Sequence, residues 1–247
     1  LQEAAVHKLD MICRKLDLQP GDRVIEIGTG WGGFAIHAAS QYGCHVTTTT
    51  ISREQLELAR ARVREAGLED RITLLFEDYR DLEGQYDKLV SIEMIEAVGP
   101  QFLASYFEKI GALLKPDGLA LIQAINMPEQ RYSRALKNVD FIQRYIFPGS
   151  FIPSFGAILE SVRTGSDMVM THAEDIGFHY ARTLNDWCHR FMASEQELEQ
   201  MGYDEAFRRL WAFYFAYCEA GFSERAIGVS QILFARPQNK RGNILSL

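Results

Sequence analysis

The chain has 247 residues, 47% hydrophobic and 24% charged, with a net charge of −7. That length suits one large domain with a substantial core, and the acidic balance disfavours a nucleic-acid partner held mainly through phosphate contacts. The four cysteines, Cys13, Cys44, Cys188 and Cys218, form no CxxC pair and no pattern with histidine at metal spacing. Neither a metal site nor a structural disulfide is expected, and the thiols suit a reducing, cytoplasmic compartment.

No apolar run approaches the roughly 20 residues that span a bilayer. The chain lacks an initiator Met and opens in an amphipathic helix pattern, with Leu1, Leu9, Ile12 and Leu16 on one face. A longer parent sequence is therefore expected. "RVIEIG" (23–28) then reads as a buried strand and "WGGFAIHAASQYG" (31–43) as a helix that ends at Gly43. "CHVTTTTI" (44–51) is β-branched, and Ser52 with Gln55 three residues on reads as a capping box for the helix that follows. "RITLLFED" (71–78), "YDKLVSIE" (86–93) and "GLALIQAIN" (118–126) are further strands, with a helix over 101–114 before the last. Repeated βα units predict a parallel, doubly wound sheet.

After Asn126 the rhythm breaks into an aromatic, Pro- and Arg-containing insertion over about 127–165. A sixth strand (167–177), a long helical region (181–222) and a seventh strand (226–237) follow. The expectation is a single α/β domain over 1–247, with the insertion lying as a helical cap over the carboxyl ends of the strands.

"VIEIGTGWGGF" (24–34) fits two templates at once. Gly28, Gly30 and Gly33 read as the dinucleotide fingerprint G-x-G-x-x-G; Glu26 with Gly28, Gly30 and Gly32 reads as the E-x-G-x-G-x-G of S-adenosylmethionine enzymes. A nicotinamide cofactor wants an acid at the end of strand two, where this chain has "TTTTIS". That absence alone does not decide. "FEDYRDL" places Asp78 and Tyr79 after strand three, where an acid can accept the adenine amine and a ring can cover the base. "LLKPDGLALI" supplies the K-P-x-G turn that commonly feeds strand five in methyltransferases. Together these select S-adenosylmethionine.

Further segments carry a family resemblance: "ICRKLDLQPGDRVIEIGTGWGGFA", "TISREQ", "DYRDL", "SIEMIEAVGP", "YFEKIGALLKPDGLALIQAI", "RYIFPGSFIP" and "GFHYARTLNDWCHRF". In order, and over nearly the whole chain, they resemble the catalytic domain of cyclopropane-fatty-acyl-phospholipid synthases and mycolic acid cyclopropane synthases. The resemblance implies a Rossmann-like class I methyltransferase fold, a mostly parallel seven-stranded sheet with helices on both faces. It also implies methyl transfer to the double bond of an unsaturated phospholipid acyl chain, closing a cyclopropane. The cofactor would lie against Glu26, Gly28, Gly30, Trp31 and Gly32 around its methionine portion, then Thr50, Ile51 and Gln55, with Asp78, Tyr79, Arg80 and Ile92 framing the adenine. Bicarbonate acts as base in this family, and Glu96, the Ile125 backbone and Tyr180 match three of its binding positions.

Departures from the pattern touch that base. Gln123 and Ala97 stand where the resemblance implies His, and the family's further bicarbonate-binding Cys falls before the point where this chain begins. The Gln123 amide can donate to an anion but cannot titrate near neutral pH. The alternatives are a methyl-branched product without ring closure, a soluble metabolite as acceptor, or a cofactor-binding module. Glu93, at the same strand end as Glu96, reads as a polar rim residue, and the aromatic helix 205–222 reads mainly as core. Arg131, Arg134, Lys137 and Arg144 beside Phe141, Tyr145, Ile146 and Phe147 suggest brief peripheral contact with an anionic membrane surface. The sequence leaves a homodimer open.

Overall fold

Alternation in the central strands sends successive side chains to opposite faces, so each strand feeds two cores. In the computed structural model, which describes residues 1–241, these strands are β1 (Arg23–Ile27), β2 (His45–Thr49), β3 (Ile72–Leu75), β4 (Tyr86–Ile92) and β5 (Leu114–Asn126). They are joined by β6 (Val169–Asp175) and β7 (Gly228–Ala235) in one seven-stranded sheet of order β3-β2-β1-β4-β5-β7-β6. The pairings from β3 through β5 are parallel; β7 runs antiparallel to both β5 and β6.

Val24, Val46, Leu121 and Leu233 face α1 (Gln2–Leu16) and α2 (Gly33–Tyr42), meeting Ile12, Leu16, Phe34 and Ala38. Ile25, Ile27, Ile122 and Phe234 face the other way, onto Tyr106, Phe107 and Ile110 of α4 (Leu103–Leu113). Helices thus cover both faces, as expected. Ser52 caps α3 (Arg53–Glu65), accepting from Gln55 N at 3.3 Å. The return half of the capping box is absent: the Gln55 side chain accepts instead from Thr50 Oγ1 at 2.9 Å, and Thr50 Oγ1 also serves Ser52 N.

The insertion divides. Its first part, α5 (Glu129–Ala135) and α6 (Phe141–Tyr145), lies over the strand ends; its last part, α7 (Phe155–Gly165), buries Ile158 and Val162 in the main core. The roof is completed by α8 (Gly177–Ala193) and α10 (Glu205–Ser223), with the short α9 (Glu195–Gln200) between them. Leu184, Phe215 and Phe222 form a third core there on Val229 of β7. Helix α8 begins at Gly177, four residues before the sequence pattern suggested, because Gly177 packs against Gly228, where a Cβ would sit 3.2 Å from the Gly228 Cα.

Candidate active site

At the carboxyl end of β1 the chain turns on Gly28 (φ 98°) and Gly30 (φ 50°), left-handed conformations that side chains disfavour. Gly28 N and Thr29 N both donate to Thr49 O, at 3.2 and 2.9 Å, which ties the turn to β2. A Cβ on Gly30 would meet nothing within 4 Å, so this backbone stands open to a ligand. Behind it Glu26 is buried and accepts from Thr48 Oγ1 at 2.7 Å. Burial pushes its carboxyl up to about 8, against the pull of the Thr48 hydroxyl. A buried carboxyl with one hydroxyl donor fits a group that brings positive charge, as the ammonium of S-adenosylmethionine would.

The neighbouring strand ends supply the rest. Trp31 and Ile51 are 52% and 74% exposed, an arrangement for large apolar side chains that awaits a ligand to cover. Tyr79 stands edge-on to Tyr106 at 5.5 Å between ring centroids, and Ile92 packs on the α1–α2 side of the core. Asp78 accepts from Arg80 Nε and Nη2, both at 2.8 Å, and that pairing holds its carboxyl below the usual carboxylate range. The predicted cofactor residues lie at or just after the ends of β1 to β4, with Gln55 in the first turn of α3, and both Asp78 oxygens, expected to meet the adenine amine, are engaged by Arg80.

The second cluster lies one strand over. Glu96, in a 3-10 turn after β4, accepts from Ile125 N at 2.5 Å through Oε1; its Oε2 is buried without a partner among the described residues. Burial pushes this carboxyl up to about 8. Tyr180 on α8 donates to Glu93, and its burial beside that carboxylate raises its phenol well above the ordinary value. Gln123 is fully buried, and its Nε2 donates to Glu93 Oε1 and to Tyr180 Oη, each at 2.7 Å. The expectation that its amide would hold an anion is corrected: both hydrogens are spent within the chain.

Two residues escaped the sequence reading. Glu93, taken for a rim residue, is the centre of this cluster. It also holds a left-handed backbone (φ 54°), rare for a residue with a Cβ. Lys15 was hidden in the apolar stripe of α1, between Ile12, Cys13 and Leu16. It is only 2% exposed, pairs with Glu174 and donates to Gln231 Oε1 at 2.5 Å. A lysine on a buried stripe is the signal that could have found it, since such a charge needs partners.

A cavity of about 1610 Å³ opens above this cluster, between the strand ends and the roof. Glu93, Glu96 and Tyr180 line its floor; Ile146, Phe147, Tyr214, Tyr217 and Phe222 line its walls. The α10 aromatics thus serve both readings, with Phe215 in the core and Tyr214 and Tyr217 on the cavity.

A glycine turn at a switch in strand order and a seven-stranded sheet with β7 reversed define the Rossmann-like class I methyltransferases. The chain belongs to the mycolic acid cyclopropane synthetase family, whose model matches residues 1–232. It is 42% identical over 231 residues to the tuberculostearic acid methyltransferase UfaA1 of Mycobacterium tuberculosis, covering 94% of this chain and 54% of that protein. It is 39% identical over 237 residues to the cyclopropane-fatty-acyl-phospholipid synthase of Escherichia coli K12, covering 96% and 59%. Among solved structures it resembles mycolic acid cyclopropane synthase CmaA1 complexed with SAH and CTAB, at 26% identity and a TM-score of 0.86, covering 95% of this chain and 85% of that one. The chain spans a little over half the length of these two curated relatives.

Bicarbonate fits the observed cluster poorly. The Ile125 N–H is taken by Glu96, and the Gln123 and Tyr180 donors by Glu93. A second anion would compete with the chain's own carboxylates for the Ile125, Gln123 and Tyr180 donors.

Proposed function

We propose that this chain transfers the methyl carbon of S-adenosylmethionine to the double bond of an unsaturated phospholipid acyl chain and closes a cyclopropane. The observation that carries the reading is the apolar-walled cavity with a polar floor of Glu93, Glu96 and Tyr180, joined to the cofactor turn by Met94, which packs against Gly28. An alkene is a weak nucleophile, so the chain's work is alignment, exclusion of water and removal of a proton. When bound, the cofactor supplies an electrophilic methyl carbon. The roof rings keep water from the cation that follows, and their faces favour its charge.

A methyl-branched product is the second reading, favoured by the loss of the family His at Gln123 and by the 42% identity to a tuberculostearic acid methyltransferase. We also propose that the lipid is reached through peripheral contact. Glu129 and Asp140, the acids of the α5–α6 segment, accept from Gly156 N and Gln143 N, and Arg134, Lys137 and Arg144 make no ion pair among the described residues. Val139 and Tyr145 stand 73% and 56% exposed beside them. No helix among the described residues is long and apolar enough to cross a membrane.

The test incubates the full-length protein with methyl-labelled cofactor and phospholipids carrying cis double bonds. The expected product is an acyl chain one CH2 heavier that resists mild hydrogenation. A product that takes up hydrogen selects the branched reading, and label confined to soluble molecules overturns both.

A further inference from the structure

The cavity floor holds two carboxyl groups in opposite circumstances. Glu96 is half-buried and bound to backbone, and desolvation pushes its carboxyl up to about 8. Glu93 is exposed to the cavity, with Oε1 held by Gln123 and Tyr180 and Oε2 without a hydrogen-bond partner among the described residues. Its left-handed backbone follows directly on Ile92, the last residue of β4, so the side chain leaves the strand's alternation at that point. Strain of this kind persists only where the surroundings enforce it, and it gathers at functional sites.

The surroundings here form a directed chain. Lys15 has only donors, so Gln231 must turn its Oε1 toward it. Gln231 Nε2 then faces Gln123 Oε1 at 3.0 Å, which leaves Gln123 Nε2 no orientation but toward Glu93 and Tyr180. A buried cation on α1 thereby fixes which end of an amide meets the carboxylate two strands away. Such a fixed donor pair holds one oxygen of this cavity-lining carboxylate still and leaves the other without a hydrogen bond among the described residues.

We propose that Glu93 is the catalytic proton acceptor, taking within the chain the role for which the donor set is poorly arranged to hold bicarbonate. The inference rests on the lipid methyltransferase reading above. In the step, the alkene π pair bonds to the transferred methyl carbon, and the S–C pair stays on sulfur as it leaves as a thioether. The adjacent chain carbon becomes a cation. Glu93 Oε2 then takes a proton from the new methyl, and the C–H pair closes the ring; the proton passes afterwards to water. Removal from a chain carbon instead would give the branched alkene, with the same balance.

Two measurements on the full-length protein test this. Glu93→Gln keeps an oxygen for Gln123 and Tyr180 but cannot accept a proton, so turnover should fall by about 100-fold or more. Affinity for S-adenosylhomocysteine should be unchanged, which also reports that the variant is folded. Native turnover in buffer stripped of carbon dioxide should equal that with added bicarbonate. Substantial turnover by Glu93→Gln, or native turnover that requires bicarbonate, overturns the proposal; the second arm uses native protein and decides even if the variant does not fold. Failure of the native protein to label any lipid overturns instead the reading on which the proposal rests.

Discussion

The two ends of the binding region are built by different means. The cofactor end is backbone work: glycines at positive φ, ladder bonds from Gly28 and Thr29 to Thr49, and a serine cap on α3. The cavity end is side-chain work, a polar floor assembled from α1, β5, β7, α8 and the turn after β4 under a roof of rings. Backbone geometry is specified by residues adjacent in sequence. The floor joins residues as far apart as Lys15 and Gln231.

If that contrast holds, injuries at the two ends should separate binding from turnover. The largest effect is expected for Gly28→Val, where φ 98° must be held by a β-branched residue whose Cβ would lie 3.6 Å from Met94 Cγ. Strain of about 1–3 kcal/mol should lower the melting temperature and weaken S-adenosylhomocysteine binding in calorimetry. Intact binding would mean the turn is not the cofactor cradle.

Gln123→Ala comes next. It strands Glu93, Gln231 and Tyr180 at once, costing about 1–3 kcal/mol of stability, and turnover should fall while cofactor affinity holds. Gln123→His should not improve turnover, because an imidazole cannot reproduce the acceptor toward Gln231 together with two donors toward Glu93 and Tyr180.

A pH effect of about tenfold belongs to Glu26. Its carboxyl is raised to about 8 in the folded chain against roughly 4.3 unfolded. As pH rises through that window the unfolded state ionises first, so the cofactor-free protein should lose stability; the same holds for Glu96. A bound ammonium favours ionised Glu26, so cofactor affinity should rise from pH 7 toward 8.5 by about one power of ten. Glu26→Gln should flatten the titration curve; a flat native curve would remove Glu26 from the cofactor site.

The smallest effect is at the rim. Lys137→Ala should weaken sedimentation with anionic liposomes by about 1 kcal/mol, less at high salt, with turnover on detergent-dispersed lipid unchanged. Binding indifferent to salt would end the membrane reading.

The same contrast explains what the sequence revealed. All seven strands, the turn of Glu26 and Gly28, and Asp78 after strand three were legible, because glycines, β-branched runs and caps act within a few residues; Thr50 and Ile92 were placed through family motifs. Glu96, Ile125 and Tyr180 were placed through family motifs, and the fold does bring them to one cavity. Glu93 was misjudged because its role comes from Gln123 and Tyr180, 30 and 87 residues away. The reach of α7 into the core was missed for a like reason: its apolar face, with Ile158 and Val162, is ordinary until α4 is seen against it.

The one-way donor chain from Lys15 has a consequence for inheritance. Each amide in it can point only as its predecessor allows, so a reversal at Gln231 forces one at Gln123 and leaves carboxylate facing carbonyl at Glu93. Single replacements inside the chain are therefore trapped. Positions 15, 93, 123 and 231 should drift as a set, and a descendant that acquires an imidazole at 123 must rewrite its partners in the same lineage.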